Sequence, residues 1–142
     1  MTIKEKEQEI IDAFGILEDW IDKYAYLIEL GNELSPMDEA YKTNENLITG
    51  CQSNVWLHTE FRDGLVYFTA ESDAIITKGI IALLIRVFSE EKPEDILKAD
   101  IEFIDTLGLK QHLSPTRSNG LLSMLKQIKM YALAYQEKFL NS

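Results

Sequence analysis

The stretch that decides the fold is "NVWLHTEFRDGLVYFTAES", residues 54–72. Residue types alternate between apolar and polar on both sides of Asp63-Gly64, which predicts two β-strands that each have one wetter face. Asp-Gly favours a two-residue type I′ turn, because both central residues must adopt positive φ. That turn fixes the register, and the mostly apolar faces of the two strands then coincide. The predicted pairs are Phe61–Val66, Thr59–Phe68 and Leu57–Ala70.

Helices are predicted before this hairpin. Apolar residues, Ile21 among them, recur at three- and four-residue spacing across residues 10–28, which is typical of amphipathic helices. Gly31 and Asn32 are expected to end this section. Residues 33–50 hold a proline, two asparagines and a glycine without a sustained period, and we expect an ordered connection there.

Helices are also predicted after the hairpin. Residues 74–88 are apolar nearly all round and are interrupted only by Thr77, Lys78 and Arg86, which predicts a buried helix with Ser72 or Asp73 as its N-cap. "KPEDIL", residues 92–97, predicts a short helix with its proline in the first turn.

The carboxyl-terminal part is expected to begin with a loop-rich passage over residues 106–120, followed by a long helix from about Gly120 to Phe139. The apolar stripe predicted on that helix consists of Leu121, Leu125, Ile128, Ala132, Tyr135 and Phe139. No alternating strand-helix-strand pattern appears, so the expected fold class is α+β, with helices packed on a small antiparallel sheet. At 142 residues the chain fits one domain, residues 1–142.

Charge and hydropathy restrict the partners. Acidic residues outnumber basic ones 24 to 14, a net charge of -10, so nucleic acid and anionic lipid surfaces would be repelled. The longest apolar run, residues 79–85, is far shorter than the roughly 20 residues that span a bilayer. The amino terminus mixes charges of both signs and does not resemble a secretory signal, so a cytoplasmic protein without a membrane segment is expected.

The common catalytic motifs are missing from the sequence. No phosphate-binding glycine loop, no G-x-G-x-x-G and no H-E-x-x-H pair occurs. His58, His112 and Cys51 lie far apart without ligand spacing, so no metal site is predicted. We interpret His58 as a strand residue opposite Thr69, and His112 as structural.

Cys51 is the only cysteine in the chain. Because free cysteine is among the most buried residue types, composition alone favours inert packing over nucleophilic chemistry. Its neighbours, "GCQSN" at residues 50–54, are turn-prone and polar, and they favour a loop that could present the thiol. A thiol with a pKa of about 8.5 also needs a nearby cation to ionise at neutral pH, and Arg117 is a candidate for that cation. Both interpretations remain open at this point.

Four stretches together resemble the SufE family of sulfur-acceptor proteins. They are "WIDKYAYLIELG" (20–31), "LITGCQSNVW" (47–56), "SDAIITKGIIALL" (72–84) and "QHLSPTRSNGLLSML" (111–125). The resemblance implies an α+β fold like that of IscU-type scaffold proteins, and it implies that Cys51 is the acceptor cysteine. Sulfur would pass to Cys51 from the persulfide of a SufS-type, pyridoxal-phosphate cysteine desulfurase, and onward to SufB in the SufBCD scaffold.

Five further positions within the resemblance are candidate supporting residues. Gly50 and Gln52 would permit loop movement or shelter a persulfide, although a glycine beside a strand is often only a turn residue. Asp73 is interpreted first as a helix cap, and Lys78 as the partner of Asp73 or of another acid. Arg117 would stabilise thiolate charge or dock the desulfurase, against the alternative of a solvated residue at a helix start.

The resulting hypothesis is a sulfur carrier that stimulates the desulfurase and holds no cofactor of its own, rather than a stand-alone enzyme. Exchange between thiol and persulfide requires only an attacking thiolate and a leaving thiolate. One alternative is a non-catalytic adaptor that docks the desulfurase. A weaker alternative is an iron-sulfur scaffold, which would need about four cysteines or substitutes. The sequence leaves the oligomeric state open, a homodimer included.

Overall fold

The computed structural model describes residues 1–140, with side chains through residue 138. Its helices are α1 (Ile3–Ile16), α2 (Trp20–Asn32), α3 (Ile75–Phe88), α4 (Pro93–Lys98), α5 (Glu102–Leu107), α6 (Leu109–His112) and α7 (Pro115–Leu140), and its strands are β1 (Val55–Arg62) and β2 (Leu65–Ser72). Short 3-10 turns at Glu39–Tyr41 and Asn44–Asn46 bridge α2 to β1. The α+β fold class is confirmed.

The hairpin forms in the predicted register. β1 and β2 pair antiparallel with Leu57 opposite Ala70 and His58 opposite Thr69. Asp63 and Gly64 adopt φ values of 54° and 80°, as the type I′ turn requires. The face that carries Leu57 and Ala70 is buried, and it rests against the helices.

Helix α3 forms the centre of the core, as its apolar sequence predicts. Nine of its residues are buried, and it packs against α2 and β2. The α2 crossing is close because two glycines face each other: a Cβ on Gly79 would lie 2.2 Å from the Leu27 carbonyl oxygen, and one on Gly31 would lie 3.1 Å from the Gly79 nitrogen. Backbone therefore packs directly on backbone here.

The prediction of a loop-rich passage over residues 106–120 is wrong. Helices α5, α6 and the first turns of α7 occupy most of it, and a left-handed Gly108 (φ 75°) separates the first two. Helix α7 begins at Pro115 rather than near Gly120, because the Ser114 hydroxyl accepts a hydrogen bond from the Arg117 N–H at 3.3 Å. Serine before proline is a favourable N-cap and first helical position.

The apolar stripe on α7 is largely confirmed. Its buried members are Leu121, Leu125, Ile128 and Ala132, and the ring of Tyr135 stacks on Phe61 with centroids 5.1 Å apart. Phe139, the last residue of the predicted stripe, lies outside the residues whose side chains are described. On the first helices one residue departs from expectation: Ile21 is 79% exposed.

Candidate functional site

The loop that carries Cys51 is fastened where it meets the hairpin. The Ile48 N–H donates to the Val55 carbonyl at 2.9 Å. The Asp73 carboxylate accepts from the Asn54 N–H at 3.1 Å and from Asn54 Nδ2 at 3.0 Å. These bonds tie the start of β1 to the end of β2. Residues 49–53 form the loop segment that these bonds do not include.

Asp73 is therefore not the cap of α3 that the sequence suggests. The N-cap position is Ala74, without a side-chain cap bond. The Ser72 hydroxyl sits nearby, donating to the Asn54 carbonyl at 2.8 Å and accepting from the Ala74 N–H at 3.3 Å. Asp73 serves the loop instead, because Asn54, the residue before β1, offers it two donors.

Gly50 seats the loop against α7. Its φ is 92°, a backbone conformation that residues with a side chain rarely adopt. A Cβ at this position would lie 2.3 Å from Ser123 Oγ and 3.2 Å from Ser123 Cβ. The positive φ therefore favours glycine at the residue before Cys51, and a side chain there would also have to displace the Ser123 hydroxyl.

Cys51 is half-buried and points toward α7. Its Sγ donates to the Gly120 carbonyl at 3.7 Å, and a Cβ on Gly120 would lie 3.5 Å from that sulfur. Burial raises the pKa of the Cys51 thiol, since the thiolate would lose its hydration. In this conformation the group is a protonated thiol at neutral pH, with a carbonyl as its acceptor.

A cleft of about 440 Å³ opens beside the thiol. Its lining residues are Cys51, Gln52, Ser53, Ala74, Thr77, Ile80, Ser114, Thr116, Arg117, Gly120 and Met124. The fold thus brings Arg117 to the same cleft as Cys51, although the two are far apart in sequence. Arg117 is an exposed residue in the first turn of the 26-residue helix α7, and none of the described side chains that line the cleft is a carboxylate.

Lys78 does not line this cleft. Its Nζ lies 3.1 Å from Glu71 Oε1, so its partner is an acid other than Asp73. Burial acts to raise the pKa of Glu71, but hydrogen bonds from the Ser72 N–H and from Lys78 outweigh it and bring the pKa below its ordinary value. The pair links β2 to α3 and has a structural role.

The two histidines lie away from the cleft lining. His58 stacks on Tyr41 with ring centroids 3.7 Å apart, and His112 stacks on Trp20 at 4.0 Å. His112 Nδ1 also lies 3.0 Å from the Gly108 carbonyl oxygen. Among residues 1–140, no group of three or more histidine, cysteine or acidic side chains is arranged to hold a metal ion.

Sequence reasoning missed several residues that shape the site. Ser123 lies against Gly50, and the Gly120 carbonyl accepts a hydrogen bond from the Cys51 thiol. Ser114 caps the helix that carries Arg117. Thr77 lines the cleft from α3. The available signals were the Ser114-Pro115 pair at the start of α7 and the polar residue at position 77 in the largely apolar helix α3.

Comparison with known proteins places these features in a family. The model of the SufE family, described as an Fe-S metabolism associated domain, matches residues 8–132. The chain belongs to the SufE family. An uncharacterised SufE-like protein of Rhizobium meliloti (strain 1021) is 42% identical over 129 residues, which cover 87% of this chain and 92% of the relative. The role of this SufE-family protein lies in iron-sulfur metabolism.

A solved structure has a similar α+β fold. The solution structure of a hypothetical protein from Thermus thermophilus is similar with a TM-score of 0.76 at 22% sequence identity, covering 96% of this chain and 97% of that one.

Across the described residues, none of the helices combines the length and the apolar character that crossing a membrane requires.

Proposed function

We propose that this protein is a sulfur acceptor that takes sulfane sulfur onto Cys51 from a SufS-type cysteine desulfurase and passes it to the SufBCD scaffold. The observation that carries the proposal is the placement of the only cysteine on a fastened loop beside a cleft. The family's role in iron-sulfur metabolism supports it. A loop on a rigid hairpin is suited to delivering one thiol to two successive partners.

The transfer is a thiol-persulfide exchange. The Cys51 thiolate attacks the outer sulfur of the donor persulfide, a new S–S bond forms at Cys51, and the donor cysteine leaves as a thiolate. Removing sulfur from the desulfurase in this way frees its cysteine for another turnover, which accounts for stimulation. In the second transfer a thiolate of the scaffold attacks the outer sulfur of the Cys51 persulfide, and Cys51 leaves as a thiolate.

The resting conformation supports a gated version of this exchange. The thiol is protonated while its Sγ–H bonds the Gly120 carbonyl, because burial raises the pKa of Cys51. A thiolate facing that carbonyl oxygen would be repelled, so deprotonation accompanies movement of residues 49–53 away from Gly120. The Asp73–Asn54 bonds keep the end of the loop in place meanwhile.

The experiment combines the protein with the desulfurase of the same organism and free cysteine, and measures intact mass before and after a thiol reductant. We expect one or more reducible sulfur atoms on Cys51 and faster desulfurase turnover. Cys51→Ser should lose both and still bind the desulfurase. A Cys51→Ser/Thr69→Cys variant is the matched control, because Thr69 is an exposed strand residue outside the cleft lining, and its thiol should not restore stimulation.

Four outcomes contradict the proposal. Absence of an adduct, or an adduct that survives Cys51→Ser, excludes the relay. Stimulation that is retained by Cys51→Ser indicates the docking adaptor instead. Iron and colour that persist after cluster reconstitution of the purified protein would indicate the scaffold.

A further inference from the structure

The cleft beside Cys51 is far larger than a transferred sulfur atom requires. It measures about 440 Å³, whereas a water molecule, which is close to a sulfur atom in size, needs roughly 10–15 Å³ on such a measure. A persulfide turned into the cleft would leave most of it open. The space admits a small molecule next to the thiol.

The chemical character of the lining selects that molecule. The whole chain has 24 acidic residues and a net charge of -10, yet none of the residues that line the cleft is acidic, and Arg117 contributes a cation. Pro115 has no N–H, and the Arg117 N–H donates to the Ser114 hydroxyl, so the Thr116 N–H is the backbone donor left in the first turn of α7. The helix dipole also favours an anion there. The cleft is thus a cationic spot on an anionic protein.

Thr77 adds an independent observation. It is only 8% exposed, it lines the cleft from α3, and the hydrogen bonds of the described residues include none to its hydroxyl. The hydroxyl is not one of the enclosed unpartnered polar atoms of the described residues, so it borders the open cleft rather than lying sealed in the core. It is therefore a hydrogen-bond donor available to a ligand in the cleft.

From these features we infer that the cleft binds a small anionic sulfur donor of the thiosulfate class, and that Cys51 takes sulfane sulfur from it directly. The protein would then have a second way of being loaded, without a protein donor. This activity rests on the proposed role of Cys51 as a sulfur acceptor. Arg117, Thr77 and the first turn of α7 would hold the sulfonate oxygens.

The reaction balances without a further reactant. The Cys51 sulfur attacks the outer sulfur of thiosulfate, a new S–S bond forms, and the original S–S bond breaks with its electron pair leaving on sulfite. The Cys51 sulfur is oxidised to the persulfide level, while the sulfonate sulfur is reduced to that of sulfite. The thiol proton ends on the departing sulfite, which leaves as hydrogen sulfite, and the persulfide remains as an anion.

The test incubates the reduced protein, freed of reductant, with sodium thiosulfate and follows intact mass and released sulfite. We expect one sulfur atom on Cys51 for each sulfite released. Arg117→Ala and Thr77→Val should each slow loading about tenfold, the usual effect of losing a hydrogen bond to a charged group. Arg62→Ala removes the same charge at an exposed hairpin position and should load at the wild-type rate.

A neutral reagent separates anion binding from thiol reactivity. Arg117→Ala should be alkylated by iodoacetamide at the wild-type rate while its thiosulfate loading is about tenfold slower, because only the thiosulfate is anionic. Equal thiosulfate loading in wild type, Arg117→Ala and Thr77→Val, or no sulfur adduct at all, overturns the inference. A protein that the desulfurase loads but thiosulfate does not refutes this activity and leaves the relay standing, whereas failure of both refutes the acceptor role itself.

Discussion

Gly50→Ala should destabilise the protein and disturb Cys51, since two separate costs meet at this position. An alanine must adopt φ 92°, and its Cβ would lie 2.3 Å from Ser123 Oγ. Gly64 offers a matched control. Its φ is 80°, but nothing lies within 4 Å of a Cβ added there, so Gly64→Ala isolates the backbone cost.

The two costs can be estimated separately. Left-handed backbone costs an ordinary residue roughly 1–2 kcal/mol, which is the expected loss for Gly64→Ala. Forcing an extra methyl into a filled space typically costs about 1–3 kcal/mol more, so Gly50→Ala should lose about 3 kcal/mol of unfolding free energy. Adding Ser123→Ala removes the Oγ contact but leaves the Cβ at 3.2 Å from the methyl added at Gly50, and should restore about 1 kcal/mol.

Denaturant unfolding measures these free energies, and alkylation of Cys51 reports on the loop. Gly50→Ala should speed alkylation, because the displaced loop carries the thiol away from Gly120, while Gly64→Ala should leave the rate unchanged. If Gly50→Ala costs no more than Gly64→Ala and Ser123→Ala recovers nothing, then Gly50 does not seat the loop on α7 and the reasoning fails.

Two further predictions concern the helix crossing and the thiol. Gly79→Ala should cost at least about 2 kcal/mol of unfolding free energy, because the added Cβ would lie 2.2 Å from the backbone oxygen of Leu27. The control Gly15→Ala, where nothing lies within 4 Å of an added Cβ, should gain up to about 1 kcal/mol. Equal effects of the two substitutions in denaturant unfolding would refute the close crossing of α2 and α3. Burial raises the pKa of Cys51, so alkylation should rise with pH at a higher midpoint in the folded than in the urea-unfolded protein. The same shift implies a stability contribution that is complete below the ordinary thiol pKa and lost as pH rises through the folded value, and Cys51→Ala should abolish that alkaline loss.

Local patterns predicted the scaffold of the site well. Asp63-Gly64 set the hairpin register, because a two-residue turn leaves one way to align the apolar faces. The unbroken apolar run identified α3, since burial on all sides needs no amphipathic period. Helices α5 and α6 were missed, because six and four residues are too few for a helical period to emerge.

What the sequence could not supply was the set of contacts between distant segments. Asp73 looked like a helix cap because of its position, yet its carboxylate accepts hydrogen bonds from Asn54, the residue before β1. Gly79 and Gly120 stand in helices where local propensity disfavours glycine. The α2 backbone explains Gly79, whereas a Cβ on Gly120 would make only ordinary contact with the Cys51 sulfur at 3.5 Å. Only the fold reveals either neighbour. The approach of Arg117 to the thiol depends on the same long-range packing of α7.

Transfer of sulfur from a desulfurase to Cys51 is measured by the intact mass of the protein after incubation with the desulfurase and free cysteine, followed by mapping of the modified peptide. We expect a reducible gain of one or more sulfur atoms on Cys51 and no gain in Cys51→Ser. An unchanged mass in the wild-type protein, with the desulfurase fully active, would refute the proposed acceptor role of Cys51.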